Sequence, residues 1–301
     1  MKFPPLLKSK DSVRIIAPSG IVKEKALVKA LNTLESWGLD AQIGSHVFEN
    51  SNIFSAKDEM RLKDFQEALN DNSIRMILCA RGGYGLTRIL DSLDLDSYIQ
   101  SPKWVVGFSD ITAFLQMSYR QGIAAIHGPM GTSFERNGAE ESIHSLKTLL
   151  FNGSADIVSV NEQLRQGKAT GQLIGGNLAL VCDSIGTRSE LNTENKILVL
   201  EDIGEYYYRI DRMLTQLKRS GKLSKLKALV LGSFNGMSNN GIDFGETVID
   251  MARRLTLDYN YPIATHMPIG HEPANFPFVY GAEYQLEVKA DSARLELLSK
   301  V

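Results

Sequence analysis

Through the first half of the chain, short runs of aliphatic and β-branched residues alternate with longer stretches in which apolar positions recur every three or four residues. Residues 13–17 read as a strand turned by Pro18-Ser19-Gly20, and 41–43, 74–79, 104–107 and 123–126 read as further strands. Helical spacing covers 23–37, closed by Gly38, 56–69, closed by Asn70, and 110–120, closed by Gly122. Strands alternating with helices in this way predict a parallel sheet covered by helices on both faces.

Around residues 150–170 the periodicity dissolves into Gly, Ser, Asn and charge. A domain boundary is expected there, with an N-terminal α/β domain over 1–155, a linker over 156–169 and a second domain over 170–301. The second half shows strands at 171–174, 197–200 and 228–231, and helices at 177–185, 207–219 and 246–254. Residues 278–298 alternate apolar and polar positions, as short antiparallel strands do.

Composition narrows the classes. The 301 residues suffice for about two domains, and 43% hydrophobic with 23% charged residues is ordinary globular usage. A formal net charge of −2 gives no general basic surface for nucleic acid. Cys79 and Cys182 sit in apolar runs, which suits reduced buried thiols better than a disulfide framework or a zinc site. The amino end, MKFPPLLKSKDS, lacks the apolar run of a signal peptide, and no run approaches the roughly 18 apolar residues of a membrane span. The expected address is the cytoplasm, with no membrane and no nucleic-acid partner.

Four segments could carry chemistry. In Trp-Val-Val-Gly107-Phe-Ser109-Asp110 a buried strand runs straight into a helix, so Ser109 stands at the sheet's carboxyl edge and the Asp110 N–H points where an oxyanion would sit. Ile111 replaces the second glycine of G-x-S-x-G, and capping of the helix by Ser109 or Asp110 is the plainer alternative. Arg81-Gly82-Gly83-Tyr84-Gly85 follows the 74–79 strand at the edge where α/β sheets bind ligands. Its glycines allow close approach and could offer an oxyanion N–H, while Arg81 could clamp a carboxylate. Glu201 ends the 197–200 strand, and His271 is fixed in the Pro268-Ile-Gly-His-Glu-Pro loop. Serine chemistry needs a nucleophile, a base and an acid to orient the base, which Ser109, His271 and Glu201 can supply. Asp202, Glu205 and His127 remain substitutes that spacing does not exclude. Asp211 and Arg212 read as a structural pair, and Tyr206–Tyr208 as walls of a substrate site or of the core.

At these residues the chain resembles the LD-carboxypeptidase family, the serine peptidases that include muramoyltetrapeptide carboxypeptidase and the microcin C self-immunity peptidases. The resemblance spans nearly the whole length, through IIAPSG at 15–20, ARGGYG at 80–85, GFSDITA at 107–113, HGPM at 127–130, GQLIGGNL at 171–178, LEDIGEYYYRIDRMLTQL at 200–217 and PIGHEPANFPFVYGAE at 268–283. It implies a flavodoxin-like N-terminal domain, a smaller β-rich α/β C-terminal domain, an active site in the cleft between them and a homodimer. It implies Ser109 as nucleophile, His271 as base and Glu201 as orienting acid, with Asp110 N–H and a glycine N–H of the turn, Gly83, as the oxyanion hole. Gly82 and Arg81 are then substrate contacts. No metal or cofactor is implied. The expected substrate is a peptidoglycan-derived tetrapeptide that loses its terminal D-alanine during cell-wall recycling. A peptidyl nucleotide, as in the immunity branch, and a non-catalytic module holding a small ligand are the alternatives.

Ser109 precedes the expected boundary, whereas Glu201 and His271 follow it. Cutting the chain near residue 160 and separating the halves should therefore abolish D-alanine release from a murein tetrapeptide, and activity surviving in either isolated half would contradict the assignment.

Overall fold

The computed structural model describes residues 1–299. The chain forms two compact units, one of Met1–Ala155 with Pro273–Val279 and the other of Asp156–Glu272 with Tyr280–Ser299.

In the first unit, β1 (Ser12–Ile16), β2 (Asp40–Ile43), β3 (Ile74–Cys79), β4 (Trp104–Gly107) and β5 (Ala125–His127) are parallel. Their order across the sheet is β5, β4, β3, β1, β2, which is the flavodoxin-type doubly wound order, and the late strand Phe278–Tyr280 is added beside β5. Both faces of β4 are buried, as are five of the six residues of β3, so these strands read as continuous apolar runs rather than alternating ones. The expected α/β class with a parallel sheet is the one observed.

The connections carry α1 (Val28–Ser36), α2 (Asp58–Asn70), α3 (Thr87–Leu90), α4 (Asp96–Gln100), α5 (Thr112–Arg120) and α6 (Glu140–Asn152). The helices expected at 23–37 and 110–120 each begin with a turn of 3₁₀ helix, at Glu24–Leu27 and Ser109–Ile111. Every residue from Thr112 to Ser118 is buried, so α5 is enclosed by the unit rather than laid on its surface. Helix α6 falls in a stretch with no assignment from the sequence. Its apolar face, Ile143, Leu146, Leu149 and Leu150, has helical spacing, and Gly153 closes it in a left-handed conformation.

The second unit has a mixed seven-stranded sheet of β6 (Asp156–Ser159), β7 (Gly167–Asn177), β8 (Ile197–Ile203), β9 (Ala228–Asn235), β10 (Ile263–Ala264), and two further strands, Glu283–Val288 and Ala293–Leu297. Counting Phe278–Tyr280 as β11, these two are β12 and β13. Strand β7 joins the two halves of the sheet. Its first residues pair antiparallel with β12, and Leu173–Asn177 pair parallel with β8. Residues 156–169, read above as a linker, contain β6, which pairs with β13, and the first residues of β7, which pair with β12. The sequence hides β6, since Ile157 and Ser159 face inward while Asp156 and Val158 face outward, which breaks the apolar–polar alternation.

Helices α7 (Leu178–Asp183), α8 (Tyr207–Arg219) and α9 (Val248–Leu255) follow β7, β8 and β9. Ile210, Leu214 and Leu217 give α8 one buried stripe, and Thr247 with Asp250 forms a capping box at the start of α9. Asp211 and Arg212 do not pair, because neighbours on a helix point about 100° apart. Asp211 instead meets Arg254 of α9 at 2.5 Å, and the Arg212 guanidinium lies over the Tyr208 ring. Among the described residues, no helix is long and apolar enough to cross a membrane.

One glycine lets β7 run close beside β8, opposite Val199. Gly175 has φ +116°, and a Cβ there would overlap the Val199 carbonyl. Gly175→Ala should destabilise the protein by about 3 kcal/mol, from overpacking and backbone strain together. Urea unfolding measures this, and a loss below about 1 kcal/mol would contradict it.

Candidate active site

In the first unit, the candidate nucleophile stands where β4 ends. Phe108 is extended, Ser109 turns to φ +62°, and the chain enters the 3₁₀ turn leading to α5. A non-glycine residue in the left-handed region costs on the order of 1–2 kcal/mol and must be held there. The Asp110 side chain holds it. Buried at 1% exposure, its Oδ2 accepts from Ser19 Oγ at 2.6 Å and from the Leu86 N–H at 2.8 Å. One carboxylate thus fastens the elbow to the turn after β1 and to the glycine turn after β3. Asp110 does not cap the helix in the ordinary way, since its carboxylate accepts from other segments.

Gly82 closes on the serine. A Cβ there would sit 2.8 Å from Ser109 Cβ and 3.4 Å from the Asp110 nitrogen, so only glycine lets the turn approach so near. Gly20 N–H donates to the Gly82 carbonyl at 3.0 Å, and Gly83, at φ +107°, continues the turn. Arg81 is exposed, and its Nη1 donates to the Ile21 carbonyl at 2.9 Å.

Beneath these turns lies Arg61 of α2, whose side chain has no exposed surface. It donates to the carbonyl of Pro18 and, at 2.9 Å, to that of Gly85, and it pairs with Asp58 at 2.5 Å. The sequence reading passed over it. Its signal is its place on the apolar face with Phe65, Ala68 and Leu69, where a charge must be satisfied by something buried.

The second unit holds a dyad of its own. Glu201 stands near the end of β8 with 0% exposure, and its Oε2 lies 2.6 Å from His271 Nδ1. That contact puts the imidazole proton on Nδ1 and the basic lone pair on Nε2, which is how an orienting acid serves a base. Two glycines make room. A Cβ on Gly270, at φ +115°, would come within 2.6 Å of Glu201 Oε2, and one on Gly232 within 3.2 Å of Glu201 Cβ. Asn235 fixes the histidine loop by donating to the His271 carbonyl at 3.3 Å and to Glu272 Oε1 at 2.8 Å, a role no sequence motif announced. Beside the loop a cavity of about 500 Å³ is lined by Tyr207, Ser233, Asn235, Met267, Pro268 and Glu272, among others.

The substitutes take other duties. His127 is wholly buried and stacks on Phe278 with ring centroids 4.7 Å apart, so it packs in the core. Asp202 accepts from Asn177 Nδ2, the Ala179 N–H and the Ile203 N–H, and so anchors the start of α7. Glu205 pairs with Arg209 at 3.1 Å on the surface of α8. Tyr206 and Tyr208 stack on each other, both exposed. Burial raises both thiols, Cys182 to about 12 and Cys79 further, so neither is a ready thiolate.

Residues 13–128 match the LD-carboxypeptidase N-terminal domain and residues 170–286 its C-terminal domain. The chain belongs to the LD-carboxypeptidase family. It is 32% identical over 290 residues to the murein tetrapeptide carboxypeptidase of Pseudomonas aeruginosa, covering 91% of this chain and 92% of that one. The crystal structure of muramoyltetrapeptide carboxypeptidase from Oxalobacter formigenes superposes with a TM-score of 0.86 at 30% identity, over 95% of this chain and 98% of the other. The microcin C7 self immunity protein MccF shares the fold, with a TM-score of 0.87 at 19% identity, over 98% of each chain. As a member of this family the protein is a carboxypeptidase, a hydrolase of peptide bonds.

In this carboxypeptidase, two adjacent buried acids lie at the end of β8, and burial pushes Asp202 up to about 6, with the Glu201 charge adding to the effect. The folded chain therefore keeps a proton at Asp202 that the unfolded chain, near pKa 3.9, has already released, so this group's contribution to stability is lost as pH rises from about 4 to about 6. Relative to Asp202→Asn, the native protein should lose up to about 3 kcal/mol between pH 4 and pH 7. Unfolding free energies of both proteins at the two pH values give the comparison, and a pH-independent difference would contradict it.

Proposed function

We propose that this protein is a serine LD-carboxypeptidase that removes the terminal D-alanine from murein tetrapeptides, with Ser109 as nucleophile, His271 as general base and Glu201 as its orienting acid. The observation that carries the reading is the buried Glu201 carboxylate held 2.6 Å from His271 Nδ1, an arrangement suited to a base that must accept and return a proton. The left-handed Ser109 at a strand-to-helix elbow fits the nucleophile. Identity of 30–32% to two carboxypeptidases named for murein or muramoyl tetrapeptides supports the substrate class.

In this mechanism His271 Nε2 takes the Ser109 proton as Oγ attacks the carbonyl before the terminal D-residue. The tetrahedral oxyanion is met by the Asp110 N–H and by the Gly83 N–H, with the partial positive charge at the head of α5 adding to them. His271 then gives its proton to the leaving amine, and D-alanine departs. Water, deprotonated by the same imidazole, attacks the acyl-serine, and the shortened peptide leaves as a carboxylate. Glu201 stays ionised throughout and stabilises the imidazolium formed in each half-reaction. Gly82 and Arg81 line the approach to the serine. A cytoplasmic homodimer acting in peptidoglycan recycling agrees with this reading. Cleavage of a peptidyl nucleotide is the second one, and it rests on the fold shared with MccF.

Ser109→Ala should lower kcat on a murein tetrapeptide by about 10⁶ while leaving the melting temperature and peptide binding nearly unchanged. Release of free D-alanine is the assay, run beside a peptidyl nucleotide. Turnover of neither substrate by the native protein, or undiminished turnover by the variant, would sink the proposal.

A further inference from the structure

Three segments that follow the carboxyl ends of β1, β3 and β5 meet around a second hollow in the first unit, a pocket of about 290 Å³. The strand after-segments bring Lys23 and Lys25, then Arg81, then Thr132 and Arg136. The frame is fixed: Thr132 N–H donates to the Ala80 carbonyl at 2.9 Å, and the Arg81 guanidinium is held on the Ile21 carbonyl, also at 2.9 Å. Four basic residues line this space and, among the described residues, no acidic one does.

The formal net charge of the chain is −2, and six of its fifteen arginines, at 61, 88, 209, 253, 254 and 294, each meet a carboxylate. Among the described residues, none of Lys23, Lys25, Arg81 and Arg136 does. Of the nearby acids, Glu135 accepts from the Lys29 N–H at 3.1 Å and Glu140 meets Lys29 Nζ at 3.7 Å, while Glu24, between Lys23 and Lys25, is exposed and outside the lining. Desolvation, and then the like charge of Arg81, push Arg136 below its ordinary range. Like charges gathered around an empty space repel one another, and a bound anion would remove that repulsion. Arg81 is joined along the chain to Gly82, which packs on Ser109.

We infer that this pocket holds an anionic group of the substrate, a carboxylate of the murein peptide, with Arg81 and Arg136 as its principal contacts. The inference rests on the serine-peptidase reading and deepens it, since it assigns the part of the molecule that recognises the substrate's charge. A peptide stem offers two sources of that charge, its terminal carboxylate and its internal ones, and the test separates them.

Calorimetric titration of the Ser109→Ala protein with three peptides decides the matter: the free tetrapeptide, its C-terminal amide, and the tetrapeptide with its internal carboxylates amidated. Adding Arg81→Gln with Arg136→Gln should weaken binding of the free tetrapeptide by about 10- to 100-fold. The peptide that lacks the held carboxylate should bind both proteins equally weakly, which identifies the source. Lys23→Gln with Lys25→Gln, on the loop after β1, should give a smaller loss with the same dependence on peptide charge, so a folding defect in the arginine pair leaves the question answerable. No loss, or an equal loss on all three peptides, overturns the inference. D-alanine release by the protein with Ser109 intact is measured separately, so a failure of the peptidase reading is distinguished from a failure of the pocket.

Discussion

A carboxylate without exposed surface is expensive to keep charged, and each unit buries one beside a candidate catalytic residue, Glu201 in the second unit and Asp110 in the first. Glu201 has one strong partner, the His271 ring, and among the described residues its Oε1 has no hydrogen bond. Such an acid is stable as an anion only while the imidazole stays against it. The glycines at 232 and 270, the Asn235 bonds to the histidine loop and the close run of β8 beside β9 all serve that single contact. Asp110 is the counterpart in the first unit, with Ser19 and Leu86 in place of an imidazole. One acid orients a ring and the other orients a backbone turn. Both lie at the carboxyl ends of parallel strands, where the sheet edge leaves room for a ligand.

The two units differ in how they hold their loops. The elbow at Ser109 is braced by a buried network in which Asp110 and Arg61 between them touch the segments after β1 and β3. These bonds are short and screened from water, so the left-handed serine is fixed before any ligand arrives. The histidine loop relies on backbone shape instead, through Gly270 and the Asn235 amide. Preorganisation is thus electrostatic on one side and steric on the other.

Much of this was legible in the sequence. The apolar runs at 74–79, 104–107 and 197–200 became buried parallel strands because two-sided burial leaves a continuous signature. The GFSD, LEDIGE and GHEP segments located Ser109, Glu201 and His271, since each sits where a strand or a constrained loop ends. What stayed hidden depended on partners distant along the chain. Arg61 looks like any helical charge until its carbonyl acceptors are placed, Asn235 like any strand end, and β6 turns Ser159 inward and Val158 outward, so it carries no alternating signature. Choosing between Glu201 and Asp202 was likewise beyond spacing, because adjacent residues on a strand point to opposite faces and only the three-dimensional neighbours show which one meets the ring.

The strand Phe278–Tyr280 pairs beside β5, although some 150 residues separate the two in the chain. During synthesis the amino-terminal sheet therefore emerges with the β5 edge uncovered, a row of unpaired N–H and C=O groups that waits until residues 278–280 have been made. Phe278 is also the ring on which His127 stacks, so the inner face of that edge is finished only then. Maturation of the serine-bearing unit is in this way tied to arrival of the segment that directly follows the histidine loop. A nascent or truncated chain without residues 278–280 carries Ser109 on a sheet whose β5 edge is still open.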